Sequence, residues 1–165
     1  MYLRRQTRNR GFSLIELVIV VVIIGILAAI AIPRMTRGAT NAGSAALKAS
    51  LAQMRNAIEL YRAEHDGKFP TDNTTLANQL TMFTKVDGTG ASAAADSATG
   101  VIYGPYLRAV PALPVSTKKG ATGVVASAAT AAATDGWVYT GTDGNIVAAI
   151  PVAEVDQDNV PYSNY

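Results

Sequence analysis

Reactive side chains are few in this 165-residue chain, and their types and spacing limit the chemistry open to it. There is no cysteine and a single histidine, His65, flanked by Glu64 and Asp66. No glycine-rich loop with its lysine is available to cradle a phosphate, and no nucleophile, base and oxyanion donor are arranged as an enzyme needs. His65 closes an amphipathic stretch, so it reads as a surface residue interacting with a helix C-terminus. Trp137 and the tyrosines read as core or interface residues. One group stands apart. Glu16 is the only ionisable side chain between Phe12 and Ile32. A carboxylate in the centre of an apolar layer costs about 2.5–3.5 kcal/mol on insertion scales, less near an end, and such a group marks a functional partner. The chemistry on offer is charge pairing rather than catalysis.

The element that must hold Glu16 is a helix. Leu14 to Ile32 is almost uninterruptedly apolar, and about 20 residues at a rise of about 1.5 Å each cross a bilayer core of roughly 30 Å. Arg4, Arg5, Arg8 and Arg10 precede Gly11 with no acid among them, a topology signal that keeps the N-terminus cytoplasmic while the rest is exported. Arg34 and Arg37 lie just beyond the anchor on the other side, outnumbered by those four. Without the four leader arginines the formal charge of +2 becomes −2, ten basic against twelve acidic residues. With no basic stripe either, no nucleic-acid partner is expected. A secretory signal peptide cut near Ala29-Ile30-Ala31 competes with this reading, but its apolar core usually spans only about 7–15 residues. A plain single-pass anchor, with Glu16 accidental, also competes. The lack of cysteine removes disulfides and thiolate metal sites from the head.

The segment Arg10-Gly11-Phe12-Ser13-Leu14-Ile15-Glu16-Leu17, continued by Val18 to Pro33, closely resembles the processing site of type IV pilins and type II secretion pseudopilins. The resemblance implies cleavage by a prepilin peptidase between Gly11 and Phe12, N-methylation of Phe12, and retention of the apolar helix. It further implies that Glu16 pairs with the N-terminal amine of a neighbouring subunit. A buried charge pair contributes more to specifying one arrangement than to net stability, so its expected role is axial register. Gly25 and Pro33 weaken the helix, Pro33 by its missing N–H and its clash near Ala29. They either adapt to packing in the bilayer or, as the resemblance implies, let the helix unwind in a stretched filament.

Past Pro33 the pattern becomes amphipathic. Leu47, Leu51, Met54, Ile58 and Tyr61 form one stripe, with Lys48, Arg55, Asn56, Glu59 and Arg62 opposite, and Gly67 and Pro70 supply the stop. The expected organisation is a leader over 1–11, a membrane or filament-core helix over 12–33, an amphipathic helix over 34–66 and a head over 67–165. Leu76, Leu80 and Phe83 predict a short helix capped by Thr74 or Thr75. Residues 87–100 and 116–136, rich in Gly, Ala, Ser and Thr, read as loops or mobile segments. Val101-Ile102-Tyr103 reads as a strand, and Trp137-Val138-Tyr139 pairs with Asn145–Ala148 across the hairpin turn Thr140–Gly144. The fold class is α+β, a long N-terminal helix packed on a small antiparallel sheet.

The passage Gly104-Pro105-Tyr106-Leu107-Arg108-Ala109-Val110-Pro111-Ala112-Leu113-Pro114, with Gly136–Tyr139 and Asn145–Val147, is similar to the head of the major pseudopilin of type II secretion; the Ala/Thr/Gly insert at 120–134 departs from that pattern. Some members of the family bind calcium in a C-terminal loop. Asp135, Asp143, Asp156 and Asp158 are the oxygen donors available for it, without the dense alternation of an EF-hand; no other cofactor is expected. The implied function is a pseudopilus subunit that helps drive protein export. The alternative is a major or minor type IV pilin serving adhesion, motility or DNA uptake. Implied partners are copies of itself, other pilins or pseudopilins, prepilin peptidase, an inner-membrane platform with its ATPase, and the membrane. The implied location is the inner membrane, with the head in the periplasm or on an extracellular filament.

Overall fold

The computed structural model describes residues 11–156 and 158–165. The chain divides into two compact units at Ala39 and Thr40. Helix α1 is Leu14–Glu64, α2 is Leu76–Thr81, and the strands are β1 (Gly123–Val125), β2 (Asp135–Thr140) and β3 (Asn145–Ala148). Short 3-10 turns occupy Ala128–Thr130 and Tyr162–Asn164.

The first unit consists of helix over its described length beyond Ser13, and its apolar side chains from Phe12 to Ile32 face outward. The stretch Leu14–Ile32 is long and apolar enough to cross a membrane, and none of it is buried. The backbone is helical through both Gly25 and Pro33. Such a surface in water would be unfavourable by roughly 25 cal/mol per Å² of apolar area, so lipid or neighbouring helices must cover it.

The second unit gathers a core on one face of α1. Leu47, Leu51, Met54, Ile58 and Tyr61 are buried with Leu76 and Leu80 of α2 and with Trp137, Tyr139, Ile146 and Ala148 of the sheet. The predicted stripe is therefore the buried face, and the polar residues opposite it are exposed. In β2 the inward residues Trp137 and Tyr139 alternate with Val138, the strand period expected when one face is buried. Trp137 donates its indole N–H to the Pro111 carbonyl at 2.8 Å, and Tyr139 donates its hydroxyl to the Pro70 carbonyl at 2.9 Å. These bonds satisfy the polar ends of two buried aromatic side chains.

The expected β2–β3 hairpin is present, with Trp137 opposite Ala148 and Thr140 opposite Asn145. Its turn places Gly144 at φ +69°, beneath the Phe69 ring, where a Cβ would come within 2.4 Å of ring carbons. Only glycine fits. The sheet differs from expectation at its other edge. β1 pairs with β2 in parallel, from inside the segment 116–136 that composition reads as a loop. Val124 and Val125 favour a strand, but the run is only three residues long and opens on Gly123, so it gains its pairing from β2, a tertiary effect that the composition around it does not carry.

Residues 87–100 contain no helix or strand but are pinned. Isolated bridges join Phe83 to Ser92 and Asp96 to Val101, and Thr84 pairs with Tyr103 where a strand was expected. Gln79, buried in α2, donates from Nε2 to the Gly88 carbonyl at 3.0 Å and accepts at Oε1 from Thr71 N–H at 3.1 Å and Thr75 hydroxyl at 3.2 Å. One amide side chain thus ties three segments together. Thr75 holds the N-cap position of α2, as expected, but its side chain makes no cap hydrogen bond. Asp72 Oδ1 accepts from the N–H groups of Thr74 and Thr75 at 2.8 and 2.9 Å and from both their hydroxyls. Those hydrogen bonds hold the Asp72 carboxyl below the usual carboxylate range, Thr74 first among them.

Candidate processing and assembly site

Gly11, Phe12 and Ser13 precede the first turn of α1 in non-helical, exposed backbone, and Phe12 is 82% exposed. An exposed, non-helical peptide bond suits a peptidase, because a helical segment would have to unwind to enter its cleft. Four residues later α1 turns back on its own start: Ser13 N–H donates to Glu16 Oε2 at 2.9 Å. This is the carboxylate half of a capping box, in which an acid at the third helical position satisfies the N–H of the cap residue and lies against the positive end of the helix dipole. The sequence carries the box's own spacing in Ser13-x-x-Glu16, set in an apolar context that points equally to pairing between subunits. Glu16 therefore has an acceptor's role within its own helix.

The other predicted residues lie as follows. Gly25 is helical, and a Cβ added there would meet nothing. Arg4, Arg5, Arg8 and Arg10 lie outside the described residues, as does the Pro33 side chain. Asp135 opens β2 and accepts from Ala132 N–H at 2.7 Å, whereas Asp143, in the turn beyond the strand's other end, accepts from Asn145 N–H at 3.0 Å. Asp156 and its neighbour Asp158 belong to the C-terminal loop. The structure does not bring the four together, and among the described residues no three acidic or histidine side chains form a metal-binding group.

His65 is the clearest departure. Instead of lying on the surface it is 1% exposed. Its ring stacks on Tyr61 at 3.7 Å between centroids. Nδ1 lies 2.8 Å from the Tyr61 carbonyl, which can only accept, so Nδ1 carries a proton. Nε2 is 2.9 Å from the Thr84 hydroxyl. Next to it Tyr106 donates its hydroxyl to Glu64 at 2.6 Å, and burial, followed by that carboxylate, pushes the Tyr106 phenol far up. Both ring nitrogens of His65 and the Tyr106 hydroxyl have structural partners. The cluster staples the end of α1 to the 84–106 segment. A helix-period count alone would have placed His65 one turn after Tyr61, on the buried stripe.

Comparison with known proteins agrees with the geometry. The family described as the prokaryotic N-terminal methylation motif matches residues 6–32. The chain is 44% identical over 71 residues to the type IV narrow pilus major component PilA5 of Thermus thermophilus, covering 43% of this chain and 60% of that protein. It is 30% identical over 74 residues to the type II secretion system core protein G of Escherichia coli, covering 45% and 50%. It is 33% identical over 69 residues to the competence protein ComGC of Halalkalibacterium halodurans, covering 42% of this chain and 67% of that one. The matches to the first two span only about half to three fifths of those relatives. No solved structure matches. With an exposed Gly-Phe junction, an apolar helix carrying one acid in its first turn and these relatives, the chain belongs to the type IV pilin and pseudopilin family, whose members are structural subunits and not enzymes.

Proposed function

We propose that the chain is a subunit of a type II secretion pseudopilus. It is anchored in the inner membrane by Leu14–Ile32, cut between Gly11 and Phe12 by prepilin peptidase, methylated on Phe12 and polymerised through α1 to help drive protein export. The observation that carries this reading is the uncovered apolar surface of α1 with one carboxylate at its start. Lipid covers it in the subunit pool and neighbouring helices cover it in a fibre. Because lipid is itself apolar, the preference for the fibre must come from close packing and from Glu16, not from leaving water. An assembly platform and its ATPase supply the work of extraction, and the heads coat the fibre on the periplasmic side.

The choice of a secretion fibre rests on the Gly104–Pro114 strap. Leu107 and Leu113 enter the core, Tyr106 meets Tyr61 edge to face at 5.8 Å, and the Pro111 carbonyl anchors Trp137. The residues that resemble the major pseudopilin head are thus those on which this head is built. A type IV pilus is the second reading, favoured by the higher identity to the Thermus pilin. Deleting the gene in its own host separates the two. Loss of exported enzymes from the medium with surface fibres and twitching intact supports the pseudopilus; loss of fibres or twitching with export intact overturns it in favour of the pilus.

A further inference from the structure

The C-terminal loop is closed by an unusual number of the chain's own groups. Asp156 Oδ1 accepts from the N–H groups of Asp158 and Val160 at 2.8 and 2.9 Å, and Oδ2 accepts from the Tyr165 hydroxyl. The Tyr165 ring lies under Lys48 of α1, with Nζ 4.3 Å from its centroid, and packs edge to face on Tyr162 at 5.9 Å. Arg55, about two turns further along the same face of α1, donates to the main-chain carbonyls of Tyr165 at 2.7 Å and Ile146 at 3.1 Å. The base of the loop is tied by Tyr162 N–H to the Glu154 carbonyl at 3.2 Å and by Thr117 hydroxyl to the Glu154 carboxylate at 2.9 Å.

A divalent cation such as calcium needs about six to eight oxygen ligands with free lone pairs. Here the carboxylate best placed to begin such a shell has both oxygens engaged by protein donors, and the positive charge of Lys48 already stands nearby. The donor set does not fit a calcium cage. We propose that Lys48, Arg55 and Tyr165 close the segment Glu154–Tyr165 onto α1 in the role a bound cation would otherwise fill, so that this head folds and holds its C-terminal loop without a metal. The positive charges come from α1 itself, and the tyrosine supplies the donor that a metal would replace. This proposal concerns the head alone and is independent of which fibre the chain builds.

The test is amide hydrogen exchange on the detergent-extracted full chain, in calcium chloride and in EDTA. The expected result is equal protection of the Asp158 and Val160 amides in both media. Tyr165→Phe should speed exchange at those amides by about tenfold in both, the size expected for losing a hydrogen bond to a charged group, while β2 amides are unchanged. If Tyr165→Phe loosens β2 as well, Lys48→Met serves instead, and it should speed exchange in the loop only. Calcium-dependent protection of the parent loop would overturn the proposal. So would unchanged exchange in both variants.

Discussion

Ser13 donates its backbone N–H to the Glu16 carboxylate within a single turn of α1. The acid that an apolar helix tolerates so poorly thus has a partner within its own chain, and the pairing with a neighbour's amine that the family resemblance implies would be an exchange of donors. Glu16→Gln keeps an acceptor for the cap but removes the charge, and Glu16→Leu removes both. Both variants should insert into membranes, and both should fail to enter filaments if charge sets the register. Filament incorporation scored in sheared fractions checks this; near-normal incorporation of the glutamine variant would show that the cap alone matters.

Processing makes a second prediction. Mass spectrometry of the membrane-extracted protein should find an N-terminus at methylated Phe12, and Gly11→Leu should leave the precursor uncut. A start at Ile32 would mean a signal peptidase product, and an uncut Met1 start in the parent would mean a plain anchor.

The head's core gives a third. Leu51 is buried on α1 against the sheet, and Leu51→Ala should cost about 3 kcal/mol through lost burial and the cavity left behind. The urea midpoint of the head transition reads it directly. A loss under about 0.5 kcal/mol, the scale of surface substitutions, would show that the stripe is not core.

His65→Phe tests the buried staple. It preserves the stack on Tyr61 and the backbone bond from the residue 65 N–H to the Tyr61 carbonyl, but leaves the Thr84 hydroxyl facing an apolar edge, at a cost of about 1–3 kcal/mol for the unmet group. The same urea titration, run beside the parent, measures it. No change would assign the ring's whole contribution to stacking.

Stability should fall at both ends of the pH scale. Asp72 and Asp156 have carboxyls held below their ordinary range, by Thr74 and by Tyr165 respectively. What they contribute is present above the unfolded value, near pH 4, and is lost as pH falls through the lower folded value. Burial raises the phenols of Tyr61, Tyr106 and Tyr139. Their contribution is complete below about pH 10 and declines as pH rises above it. Urea midpoints across the range should form a plateau between those limits; a midpoint that climbs above about pH 10 would contradict the tyrosine assignment.

What the sequence made legible follows from physics that acts locally. Periodicity identified the face of α1 bearing Leu47 through Tyr61, and the Thr140–Gly144 turn chemistry located the hairpin, because each depends on residues a few positions apart. The composition of 116–136 hid β1, since its pairing with β2 is set by a partner beyond it in the chain. The parts played by Asp72, Gln79 and Arg55 were not legible, because their worth lies in hydrogen bonds whose acceptors and donors only the folded chain brings near. At the assembly site the residue was evident and its geometry was not: Glu16 stood out by charge, whereas its bond to Ser13 was concealed by a context that pointed outward to another subunit.

Gln79 has a consequence for the timing of assembly. Its amide braces Thr71, Thr75 and the Gly88 carbonyl in a chain with no cysteine. A brace made of hydrogen bonds forms as the head collapses, with no oxidant to wait for and no isomerase to correct a wrong pairing. In the proposed fibre, heads would be ready for stacking as soon as they fold, and thiol reductants that dismantle disulfide-held proteins leave this one standing.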